Sequence, residues 1–112
     1  QRNAIATARA MINENYRQEL SLRALADGVH LNPNYFHRLF TTACGVTPLQ
    51  YLTEVRISHA KYELLNTDRS VTEIAELCGF STYNYFCTVF RKRCGMSPRD
   101  FRKKANNYYD TK

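Results

Sequence analysis

Two stretches of this chain carry the side chains that could do chemistry. The first holds Asn34, His37, Arg38, Thr41 and Thr42; the second holds Tyr83, Asn84, Cys87, Thr88, Arg91 and Lys92. At 3.6 residues per turn each set falls on one side of a helix, with Tyr83 at the edge of the second. They supply a guanidinium fork, amides, an imidazole and hydroxyls. Such groups hydrogen-bond to planar polar edges and to phosphates. Catalytic signatures are missing: the sequence contains no G-x-S-x-G, H-E-x-x-H, P-loop or G-x-G-x-x-G. Cys44 and Cys94 could be reactive thiols, but each stands just before a glycine, where helix-end packing accounts for it. The three His lie at no zinc-binding interval from the four Cys. The chain is therefore read as a non-enzyme, with no cofactor and no metal.

The elements that must position these residues come in two copies. Ser21-Leu22-Arg23-Ala24-Leu25-Ala26 aligns with Ser70-Val71-Thr72-Glu73-Ile74-Ala75 at an offset of 49. Asn34-Tyr35-Phe36 through Phe40 aligns with Asn84-Tyr85-Phe86 through Phe90 at an offset of 50, and this register runs on through Cys44-Gly45-Val46-Thr47-Pro48 against Cys94-Gly95-Met96-Ser97-Pro98. One residue has entered the turn of the second copy near Ser81. In copy one, Ser21 is an N-cap for a short helix with Leu22, Leu25 and Ala26 inward, ending near Gly28. After a tight turn, Asn32 and Pro33 open a longer helix with Phe36, Leu39, Phe40 and Ala43 on one face, closed by Gly45. In copy two, Ser70 caps the short helix, Gly79 sits in the turn, and Ser81 or Thr82 caps the next, whose core face is Phe86, Val89 and Phe90; Gly95 closes it.

Three more helices complete the plan. Residues 3–16 place Ile5, Ala8, Ile12 and Tyr16 at helical spacing. Residues 48–66 are apolar on most sides, through Leu49, Tyr51, Leu52, Val55, Ile57, Ala60, Tyr62, Leu64 and Leu65, as suits a connector packed from two directions. Residues 97–107 begin Ser97-Pro98, pack through Phe101 and show positive charge outward.

Composition narrows the class. The 112 residues carry 16 Lys/Arg against 10 Asp/Glu, a net charge of +6, and are 44% apolar, so the chain should fold as one domain or as two small modules sharing packing. No apolar run exceeds three residues, whereas a membrane span needs ~20 and a signal peptide ~7–15. For this stretch of chain membrane insertion and secretion are excluded, and the cytoplasm is the expected compartment, with the cysteines as reduced, buried thiols. The chain opens on Gln1, not Met, and is expected to be a piece of something longer.

A short helix, a tight turn and a second helix with a polar outer face make a helix-turn-helix, whose second helix enters the DNA major groove. The expected fold is all-α, about seven helices in two tandem helix-turn-helix subdomains. Residues 1–47 would be the first lobe, 48–66 the connector helix and 67–112 the second lobe of one bilobal domain over 1–112. A connector of ~19 residues would be ~28 Å long, close to the ~34 Å turn of B-DNA, so the two recognition helices are expected in successive major grooves.

The motifs Leu22-x2-Leu25-Ala26, Asn34 through Phe40, Tyr51-Leu52-x3-Arg56-Ile57-x2-Ala60, Ile74-Ala75-x2-Cys78-Gly79-Phe80, Tyr85-Phe86-x2-Val89-Phe90-Arg91-Lys92 and Gly95-Met96-Ser97-Pro98-x2-Phe101-Arg102 resemble the DNA-binding domain of the AraC/XylS family of bacterial transcription regulators. The resemblance runs from about Asn3 to Arg102. It implies a bilobal seven-helix domain that binds double-stranded DNA as a monomeric unit and recruits or positions RNA polymerase. It also implies an N-terminal sensing or dimerising domain absent from this chain. Two positions depart from the family pattern. His30 stands in the first turn where members commonly have Gly, so it must take the conformation of Gly or the turn must bend differently. Cys87-Thr88 replace a common Ser-Arg, which implies that the second lobe reads bases weakly or through apolar contact.

Within this frame Arg38 is the best candidate for a bidentate guanine contact, Asn34 for adenine or phosphate, and His37 for guanine or phosphate. Thr88 could meet thymine with its methyl and another group with its hydroxyl; Cys87 could do likewise or merely fill space. Arg91 and Lys92 begin a basic run with Arg93, Arg99, Arg102, Lys103 and Lys104, read as part structural and part phosphate-binding. Tyr35 and Tyr85 are read as packed rings with wet hydroxyls in preference to base-stacking rings, and Arg56 as either a carboxylate partner or a DNA contact. The plain alternative for every charged position is a solvated face. The alternative for the whole is a helical protein-interaction module whose basic face meets an acidic protein partner. Single-stranded RNA binding fits less well, because most aromatics fall inward.

Overall fold

The computed structural model describes residues 2–110, with side chains from 3 to 107; residues 1, 111 and 112 of the expected 1–112 span lie outside the described residues. Among the described residues there are seven α-helices and no strand: α1 (Arg2–Asn15), α2 (Leu22–Gly28), α3 (Pro33–Cys44), α4 (Pro48–Asn66), α5 (Val71–Leu77), α6 (Tyr83–Cys94) and α7 (Pro98–Asp110). They form two compact units that divide between Val55 and Arg56, inside α4.

In the first unit, Ile5, Ala8, Ile12 and Tyr16 meet Leu25 and Ala26 of α2, Phe36 and Phe40 of α3, and Leu52 of α4 in one core. The helix starts follow from their caps. Ser21 Oγ accepts from the Ala24 amide at 3.0 Å, and Asn32 Oδ1 accepts from the Asn34 and Tyr35 amides at 2.9 and 3.3 Å, answering amides that have no partner within the helix. His30 takes φ 60, the left-handed conformation, so the turn keeps the backbone bend of the glycine version with a side chain in place. Gly45 ends α3 at φ 78. Ala43, expected inward, is exposed, and Cys44, on the i+4 row of Phe36 and Phe40, packs on the core at that end instead.

In the second unit, Ile57, Ala60 and Leu64 of α4 join Ile74, Ala75, Cys78, Phe80, Phe86 and Phe90. Ser70 and Glu73 form a reciprocal capping box, and Thr82, not Ser81, caps α6, accepting from the Tyr85 amide at 3.0 Å. Gly79 turns at φ 92 and Gly95 at φ 78. Phe101 sets its ring edge-on to Phe90 at 5.5 Å, fixing α7 against α6.

The apolar residues of α4 are fewer inside than expected: Leu49, Tyr62 and Leu65 are exposed. Each half of the helix buries one narrow stripe, Leu52 in the first core and Ile57, Ala60 and Leu64 in the second. The thiols also differ from expectation. None of the four is in a disulfide, but only Cys78 is buried. Cys44 and Cys94 are the last residues of α3 and α6, where a helix emerges from its cover.

Candidate nucleic-acid interface

The two buried phenylalanines of α3 decide what faces out. Phe36 and Phe40 are fully buried with ring centres 5.7 Å apart, and Phe40 meets the Tyr51 ring edge-on. That holds the opposite side of α3 toward solvent, where Asn34, Arg38 and Thr42 are exposed and His37 and Thr41 half-buried. All five expected residues therefore lie along one outward face. One of them is partly committed: the Thr41 hydroxyl donates to the His37 carbonyl at 2.7 Å, leaving only acceptor lone pairs for anything outside.

The second unit repeats this arrangement. Phe86 and Phe90 are fully buried with ring centres 5.7 Å apart, and Phe80 packs on Phe86 at 4.8 Å. Outward stand Tyr83, Asn84, Thr88, Arg91 and Lys92, all exposed, with Cys87 half-buried. Asn84, Cys87, Thr88, Arg91 and Lys92 line one shallow concavity of about 480 Å³, so five of the six expected residues share a surface feature. A hydrogen bond with the Cys87 side chain, together with the charge that thiol can carry and a little burial, pushes the Tyr83 hydroxyl above its ordinary value; Arg99 opposes this. Cys87 also touches the core, so it is both a filler and a wall of the concavity. The Thr88 hydroxyl donates to the Asn84 carbonyl at 3.0 Å.

Tyr35 and Tyr85 are more exposed than a packed ring needs, at 39% and 51%, although the Tyr85 ring stands 6.1 Å from Phe80. Arg56 faces Tyr85. Burial pushes its guanidinium below the ordinary value and the phenol partly offsets that.

The basic run divides in two. Arg91, Lys92 and Arg93 occupy the last turn of α6, where cations complement the helix dipole. Arg102 has a different task, which its sequence gives no sign of: Nε donates to the Leu64 carbonyl and Nη2 to the Thr67 carbonyl, both at 3.1 Å. It answers open carbonyls at the end of α4 and ties α7 to it. Its partners lie 35 to 38 residues away, beyond the reach of any local pattern. Nearby, Arg69 and Glu63 approach to 3.1 Å as an ion pair.

Among the described residues no group of three or more His, Cys, Asp or Glu could hold a metal ion, and no helix is long and apolar enough to cross a membrane.

Comparison with known proteins agrees with this geometry. A family model described as a helix-turn-helix domain matches residues 25–104. The HTH-type transcriptional activator RhaS of Yersinia pestis (strain Pestoides F) is 39% identical over 93 residues, which is 83% of this chain and 34% of RhaS. The bifunctional transcriptional activator/DNA repair enzyme AdaA of Bacillus subtilis (strain 168) is 36% identical over 94 residues, 84% of this chain and 44% of AdaA. The chain thus spans less than half the length of these relatives. Among solved structures, the DNA-binding domain of AdpA, a global transcriptional factor in complex with a target DNA, superposes with a TM-score of 0.90 at 29% identity, covering 93% of this chain and 94% of that one. An AraC-type regulator from Chromobacterium violaceum superposes with a TM-score of 0.85 at 27% identity, covering 93% of each. With a family model matched over most of the chain and AraC-type structures superposing on its seven helices, the chain belongs to the AraC-type helix-turn-helix family.

Proposed function

We propose that this chain is the part of a bacterial transcription regulator that binds double-stranded DNA sequence-specifically, with α3 and α6 each set into a stretch of major groove. The observation that carries this is the repeated design of the two helices: a buried phenylalanine pair on one side of each, and an exposed row of hydrogen-bonding and basic side chains on the other. In this reading Arg38 contacts guanine, Asn34 and His37 contact bases or phosphate, and Thr41 and Thr42 border them. On α6, Asn84, Cys87 and Thr88 face the bases beside Tyr83, while Arg91 and Lys92 hold phosphates. The two lobes, 1–47 and 67–112 around the connector 48–66, act as one bilobal domain. RNA polymerase is the partner that such a domain would recruit or position, an N-terminal sensing or dimerising domain would govern it, and the cytoplasm is where it would work. The test is a titration of a preferred duplex and a random duplex at several salt concentrations. A specific complex keeps a large affinity ratio as salt rises; a ratio near one at every salt concentration would overturn the reading in favour of a basic face for protein partners.

A further inference from the structure

We propose that Thr88 reads the 5-methyl group of a thymine, so that α6 recognises a base by apolar contact where α3 uses a guanidinium fork. The inference rests on the DNA-binding reading above and names what one part of that face selects. Thr88 is exposed on α6, and its hydroxyl donates to the Asn84 carbonyl one turn back. A hydroxyl has a single donor, and here it is spent on the helix itself. What the exposed residue has left for a partner is its γ-methyl and the remaining lone pairs of an oxygen already engaged.

The surroundings favour the same partner. Cys87 beside it is half-buried against the core and hydrogen-bonded with Tyr83, so it offers a polarizable, weakly polar surface instead of a strong donor. The concavity between Asn84, Cys87, Thr88, Arg91 and Lys92 has a mainly apolar wall, and its two cations are exposed in the next turn, where they suit the phosphates flanking a base. In the major groove of unmodified DNA, thymine alone presents a methyl group. The equivalent place in the first copy is Arg38, a bare set of donors suited to the paired acceptors of guanine. The two copies therefore ask for different edges, and the composite site is asymmetric.

The experiment starts from a duplex selected out of a random pool and remakes it with each thymine replaced in turn by deoxyuridine. This removes the methyl and keeps every hydrogen-bonding group of the base. One position is expected to lose about fourfold in affinity, the ratio for one buried methyl-sized group, with the rest unchanged. Thr88→Val keeps a methyl and loses the hydroxyl, and should retain that sensitivity. Thr88→Ser keeps the hydroxyl and loses the methyl, and should bind the thymine and deoxyuridine duplexes alike. Uniform tolerance of deoxyuridine by the unaltered chain, or sensitivity that persists in Thr88→Ser, overturns the proposal while DNA binding stands. Failure to select any duplex overturns both.

Discussion

Arg38 and Thr88 occupy equivalent places in the two copies yet bring opposite chemistry, and substitutions should separate them. Arg38→Ala is expected to cost ~1–3 kcal/mol on the preferred duplex and to relax selectivity at one base pair, as the loss of a fork proposed to contact a base edge would do. Lys92→Ala should weaken preferred and random duplexes alike and lower the slope of affinity against salt by about one, as the loss of one phosphate contact does. Competition binding at two salt concentrations measures both; equal losses on preferred and random DNA for Arg38→Ala would remove it from base reading. His30 makes a prediction about stability instead. Its φ of 60 costs a residue with a Cβ ~1–2 kcal/mol that glycine does not pay, and glycine's greater freedom in the unfolded chain takes part of that back. His30→Gly should therefore raise the unfolding free energy measured in urea slightly, by ~1 kcal/mol or less, and His30→Val should lower it.

The helices hold these residues in place through their ends. Gly45 and Gly95 close α3 and α6 with the same φ of 78, and a Cβ added at either meets nothing within 4 Å. Alanine at each position should thus cost backbone strain alone, ~1 kcal/mol, and nearly the same amount in both copies. A much larger loss at one of them, measured by chemical unfolding, would mean that its helix end carries packing the other lacks. Arg102→Ala should cost ~1.5–3 kcal/mol by opening two charge-assisted hydrogen bonds that join α7 to the end of α4. Arg102→Lys should recover only part of this, since an ammonium cannot span two carbonyls as a planar fork does. If Arg102→Ala leaves stability intact and instead changes the salt slope of DNA binding, its role is with phosphate after all.

For the molecule as a whole, what could be read from the sequence was whatever is local or repeated. Ser21, Asn32 and Ser70 announce helix starts because a cap acts within three residues, and Gly45 and Gly95 announce ends because few other residues tolerate the left-handed turn. The phenylalanine pairs then orient α3 and α6, and the outward faces follow by subtraction. The sequence marks Arg102 as a motif position and as one charge in a basic run, but not as the tie between α7 and α4, because its carbonyl partners are set by how α7 returns to α4. Leu49, Tyr62 and Leu65 looked buried because a count of apolar residues around a helix cannot tell two narrow stripes from a continuous cover. The engagement of the Thr41 and Thr88 hydroxyls with their own helix was equally hidden, since a threonine can turn its oxygen inward or outward at the same backbone position. The central claim, that the two outward faces read DNA, is tested most directly by selecting bound duplexes from a random pool at ~150 mM salt, where non-specific attraction is already screened. The account predicts enrichment of a motif in two parts, one carrying guanine that depends on Arg38 and one carrying thymine that depends on Thr88. A pool that remains random after repeated rounds would contradict it.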